Sequence, residues 1–104
     1  MQLYPLKIVT VVGETVIMED IAEEGVKLGA TGFTMTEVNG HGSRSARNVA
    51  STTGPRTTKV EFVVPADVAV SILTHVSHQY FDDYAVIAWL ADVQVVRGQN
   101  YISK

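Results

Sequence analysis

Two blocks of the same order, strand then helix then strand, flank a basic loop, and that order leaves the chain few folds to choose from. Residues 6–12, Leu-Lys-Ile-Val-Thr-Val-Val, are β-branched and apolar enough for an interior strand, which Gly13 ends. Residues 14–28 switch to a helical period, with Met18, Ile21, Ala22, Gly25 and Leu28 on one stripe and Glu19, Asp20, Glu23, Glu24 and Lys27 outside it. Gly29 is expected to close this helix and Gly32 to open a second strand over 33–38, with Phe33 and Met35 on one face and Thr34 and Thr36 on the other. Beyond the loop, residues 59–64 read as a third strand halted by Pro65, which cannot donate to a ladder. Val68, Ala69, Ile72, Leu73 and Val76 mark a second helix whose pattern fades near Tyr80. Residues 85–96 form a last strand, whose near-continuous apolar start predicts burial on both faces.

The order β-α-β-β-α-β is that of the ferredoxin-like split βαβ motif, an α+β sandwich whose two crossovers put both helices on one face of a four-stranded sheet. A chain of 104 residues makes a single domain, 1–104, with one modest core. Its strands are apolar on both sides: Val9 and Val11 alternate with Ile8 and Val12. The sheet face without helices is therefore predicted to meet another subunit.

The net charge is −3, yet residues 40–59, GHGSRSARNVASTTGPRTTK, hold four of the eight Lys+Arg residues and no acid. Gly40 and Gly42 let backbone N–H groups approach a bound group, and each guanidinium fork of Arg44 and Arg47 matches two oxygens of a phosphoryl group. A solvated loop whose charges serve only solubility is the alternative. No basic face beyond this loop exists to neutralise a nucleic-acid backbone, so nucleic-acid binding is not expected. The absence of Cys excludes disulfides and thiolate metal sites. His75 and His78 stand about one helical turn apart with no third ligand evident, so no metal site is expected. No apolar run approaches the about 18 residues of a membrane span, and the first residues lack the build of a signal peptide, so the cytoplasm is the expected compartment.

With those residues in view, the chain resembles the PII signalling superfamily and, within it, the SbtB-type and carboxysome-associated PII-like proteins. GATGFTMTEVNGHG (29–42) is similar to the PII strand leading into the T-loop, and KVEFVVPADV (59–68) to the strand that follows it. GSRSAR (42–47), with its two arginines three residues apart, looks like the PII-like loop motif, and QYFDDYA (79–85) like the SbtB-type segment before the last strand. The resemblance implies a homotrimer that binds an adenine nucleotide in each intersubunit cleft and controls a partner through a T-loop at about 40–58. That is regulation without turnover. It also implies that Gly32, Phe33 and Thr34 line the base or sugar, that Gly40, Gly42, Ser43, Arg44 and Arg47 meet phosphate, that Glu61 and Val63 face the nucleotide, and that Arg97 lies near the phosphates; His41, between two glycines, is a further phosphate candidate, with a solvated side chain as the alternative. The SbtB-type likeness points to a membrane bicarbonate transporter or a carboxysome-related protein as partner.

The departures narrow the ligand. Where PII proteins carry a glycine-rich segment with a lysine for the triphosphate, this chain has Asp83-Tyr84-Ala85-Val86. AMP, ADP or cyclic AMP, with bicarbonate as a further candidate, is therefore expected over ATP, as a regulatory ligand and not as a tightly bound cofactor. The loop has no tyrosine to be modified, and Ser103-Lys104 bring no cysteine for redox control. An enzyme would need a nucleophile or a positioned acid–base pair, and the nearest candidate, Asp82 and Asp83, would point apart on an extended backbone. A structural or metal-tolerance-type trimer of the same architecture is the remaining alternative, but it gives no reason for arginines gathered in one loop.

Overall fold

The computed structural model describes residues 1–38 and 56–96. Six elements follow in the expected order: β1 (Leu3–Glu14), α1 (Thr15–Lys27), β2 (Thr34–Val38), β3 (Thr57–Val64), α2 (Ala66–Tyr80) and β4 (Val86–Val96). The strands form one sheet in the order β2-β3-β1-β4, with every neighbouring pair antiparallel. This is the ferredoxin-like arrangement, and it places β1 and β3 at the centre.

Period-2 patterning is cleanest in β3, where Thr58, Val60, Phe62 and Val64 are buried while Thr57, Lys59, Glu61 and Val63 are only partly covered. Val9 and Val11 of β1 stand opposite Phe62 and Val60 and are fully buried with them. Onto that face α1 lays Ile17, Met18, Ile21, Ala22 and Gly25, and α2 lays Ala69, Ile72 and Val76, giving one core. Each large apolar side chain among them contributes about 1.5–3 kcal/mol on full burial. Gly25 is where α1 comes closest to the sheet: a Cβ there would fall inside the envelope of the Phe62 ring.

The helix ends follow the punctuation in the sequence. Gly29 has φ +130°, Gly29 N–H donates to the Val26 carbonyl (3.1 Å) and Ala30 N–H donates to the Gly25 carbonyl (3.0 Å), which is the Schellman closure of α1. A Cβ at Gly29 would also meet Val68 Cγ2 at 2.9 Å, so this turn tolerates glycine alone. Pro65 ends β3 and opens α2, its carbonyl accepting from Ala69 N–H at 3.0 Å. Asp67 complements the positive end of the helix in the first turn.

The opposite face of the sheet carries Ile8, Thr10 and Val12 beside Val63, Glu61 and Lys59 on one side and Ala91, Trp89 and Ile87 on the other. No described element covers it, and Ile87 and Trp89 are 58% and 46% exposed. One expectation needs correction here. The apolar run predicts burial of β4 on both faces, yet none of its residues is buried within the chain. It is an edge strand with one flank unpaired among the described residues, one side on the uncovered face, and only Val86 and Ala88 packed against the core.

Candidate functional site

At the β2 edge the uncovered face folds into an open cleft of about 440 Å³ lined by Ile8, Thr31, Gly32, Phe33, Thr34, Glu61 and Val63. Gly32, Phe33, Thr34, Glu61 and Val63, the residues that the family resemblance implies for the base, sugar and nucleotide-facing wall, thus lie together, from two segments far apart in the chain. The register explains the meeting: Thr34 lies opposite Glu61, and Ile8 opposite Val63. Phe33 is braced from behind by Phe62, the rings meeting edge to face at 6.4 Å and 65°. A Cβ at Gly32 would find no atom within 4 Å, so the glycine leaves the cleft floor bare and its backbone approachable.

The chemistry of this wall suits a ribosyl or heterocyclic ligand. Ile8, Phe33 and Val63 offer apolar surface to a flat ring, the threonine hydroxyls can donate and accept, and the Glu61 carboxylate is an acceptor for a group such as a sugar hydroxyl. Glu61 lies 4.0 Å from Lys59, on a strand with both side chains about two-thirds covered. A carboxylate here repels phosphate, so a nucleotide would direct its phosphates away from Glu61. The residues expected to hold phosphate, Gly40, His41, Gly42, Ser43, Arg44, Arg47 and Arg97, lie outside the described residues. At the neck of that segment Arg56 pairs with Glu37 at 3.0 Å.

Thr31 and Ile8 are cleft residues that the sequence reading does not single out. Thr31 sits inside the GATGFT block, whereas Ile8 reaches the cleft through strand register alone. His75 does not share a ligand with His78: it bonds Glu24 of α1 through Nε2 at 2.6 Å. Among the described residues no group of three His, Cys, Asp or Glu side chains could hold a metal ion.

The Tyr80 hydroxyl donates to both Glu24 carboxylate oxygens at 2.9 Å, so the aromatic group before β4 braces the helices. Burial first, then the hydrogen bond and charge of Glu24, pushes the Tyr80 phenol up from 10.0 to about 12. A folded value above the unfolded one means a contribution fully present below pH 10 and lost as pH rises toward 12. Urea unfolding between pH 9 and about 11.5 should show stability falling more steeply in the parent than in Tyr80→Phe, which has no proton to lose. Equal slopes would remove Tyr80 from the pH response.

Comparison with known proteins identifies the fold and the family. Residues 6–100 match the family described as Nitrogen regulatory protein P-II. A PII-like signaling protein from Thermus thermophilus is 40% identical over 98% of this chain and 100% of its own, with a TM-score of 0.84. CPII from Thiomonas intermedia K12 shares the fold at lower identity. Its form bound to ADP, AMP and acetate is 19% identical with a TM-score of 0.79, covering 99% of this chain and 100% of that one. Its form bound to ADP and bicarbonate is 21% identical with a TM-score of 0.78, covering 96% of this chain and 97% of that one. With the family's sequence pattern matched over residues 6–100 and the βαββαβ fold shared with a relative 40% identical, the chain belongs to the nitrogen regulatory protein P-II family, as a PII-like regulator and not an enzyme.

Proposed function

We propose that this protein is an adenine-nucleotide sensor of the SbtB-type or carboxysome-associated kind. In this reading it is a homotrimer that binds AMP, ADP or cyclic AMP in clefts between subunits and controls a partner through its T-loop at about 40–58. The observation that carries the reading is the cleft itself: Gly32, Phe33, Thr34, Glu61 and Val63 line it together, and it opens on the apolar face that a neighbouring subunit would cover. A nucleotide seated there lies at the seam, with its base and sugar against these residues and its phosphates toward Gly40, His41, Gly42, Ser43, Arg44, Arg47 and Arg97. CPII, which has the same fold, binds ADP, AMP and bicarbonate, and that supports both the ligand class and bicarbonate as a second signal. The partner in this reading is a membrane bicarbonate transporter or a carboxysome-related protein, and the site of action is the cytoplasm.

Adding ADP to the ¹⁵N-labelled protein tests the placement. The amides of Thr31, Gly32, Thr34 and Glu61 should shift together and saturate at one concentration, while amides of α2, on the opposite face, should move little. Saturable shifts confined to another surface would put the nucleotide elsewhere.

A further inference from the structure

The corner where β1 passes directly into α1 makes bonds that serve other elements and not its own helix. Glu14 occupies the N-cap position of α1 but makes no side-chain cap bond; its carboxylate accepts instead from Ala85 N–H, at 2.9 Å, in the turn before β4. Thr15 N–H, one of the donors a helix start leaves without an intrahelical partner, donates to the Arg56 carbonyl at 2.9 Å. The Thr15 and Thr58 hydroxyls bond each other at 2.6 Å, and Thr58 is 2% exposed. Between these two sets of bonds Gly13 pairs with both Thr58 and Val86, and a Cβ on it would lie 3.0 Å from Val86 Cγ2 and 3.3 Å from the Ala85 carbonyl oxygen. The corner therefore has no slack between the neck of the 39–55 segment and the turn at residues 81–85.

We propose that Glu14 and Thr15 are positioning residues that hold the loop neck and the 81–85 turn in a single register, so that a displacement of either is felt by the other. For its biological use this rests on the nucleotide-sensing reading, because the neck leads to the arginine-bearing loop. The mechanical link itself exists without ligand. Conventional capping would leave the helix start served by its own residues; here removing one bond frees a shared corner.

Hydrogen exchange on the nucleotide-free protein tests the link through its cross-effects. The Glu14 side chain bonds only the turn, yet Glu14→Ala should speed exchange at Thr58, which unlike Thr57 is not the sheet partner of Glu14, by roughly two- to tenfold, the range expected for one lost hydrogen bond. Thr15→Val touches only the neck, yet it should speed exchange at residues 84–86 by a similar factor. Glu14→Gln and Thr15→Ser keep the acceptor and the hydroxyl and should stay near the parent. If Glu14→Ala does not fold, the nearly isosteric Thr15→Val decides alone. Faster exchange only at each variant's own partner, or by one factor everywhere, would overturn the proposal. In an ADP titration Thr15→Val should also bind severalfold more weakly than Thr15→Ser. If the parent binds no nucleotide, the sensing reading fails while the exchange experiment still decides this one.

Discussion

Replacing Phe62 with alanine is expected to lower folding stability by about 3–5 kcal/mol, read as a shift of the urea midpoint. Phe62 is fully buried at the middle of β3, with Val9 opposite it in the sheet, the backbone of Gly25 against its ring and Phe33 at its edge. Alanine would leave a void beside Gly25, which has no side chain to fill it, while the remaining core contacts of α1 through Ile17, Met18, Ile21 and Ala22 hold the helix from collapsing into it. For a domain whose whole stability is on the order of 5–15 kcal/mol, that loss is a large fraction. The effect should reach the cleft as well, since Phe33 loses the ring that braces it. A cost below about 1 kcal/mol would mean that Phe62 is not the centre of the core.

Most local signals read correctly, with one correction: Gly13, expected to end the first strand, lies inside β1, paired with Thr58 and Val86, because a glycine flanked by two ladder partners continues the strand. The alternation through residues 59–64, Gly29 as the close of α1 and Pro65 as the stop of β3 are each fixed by nearest-neighbour backbone chemistry. The block 32–34 and the pair Glu61 and Val63 are legible only through family resemblance, and antiparallel register is what joins them. Ile8 cannot be found this way, because nothing local says which strand lies beside β3. The same gap explains β4: an apolar run looks alike whether its cover comes from the same chain or from another, so the sequence suggests double burial where the chain supplies an edge. β1 extends back through Pro5 because its pairing with β3 stops at Lys7, leaving proline where the strand has one neighbour only. The Glu24–His75 and Glu24–Tyr80 bonds join residues 51 and 56 positions apart, beyond any local pattern.

Arg44→Ala and Arg47→Ala should each weaken nucleotide binding by roughly ten- to a hundredfold. Each fork is assigned charge-assisted hydrogen bonds to phosphate, worth about 1.5–3 kcal/mol. Lysine at either position should recover part of the loss, since an ammonium restores charge without the planar fork. Both arginines belong to a stretch read from the sequence as a polar loop, so stability without ligand should change little. If both alanine variants bound as tightly as the parent, the phosphate role would pass to other residues and the loop's charge to a protein partner.

Calorimetry on the parent protein, with its mass in solution determined on the same sample, tests the central claim most directly. The account predicts a trimer that takes up one AMP, ADP or cyclic AMP per subunit and binds guanine nucleotides more weakly. A stable monomer, or no uptake of any adenine nucleotide at millimolar concentration, would contradict it.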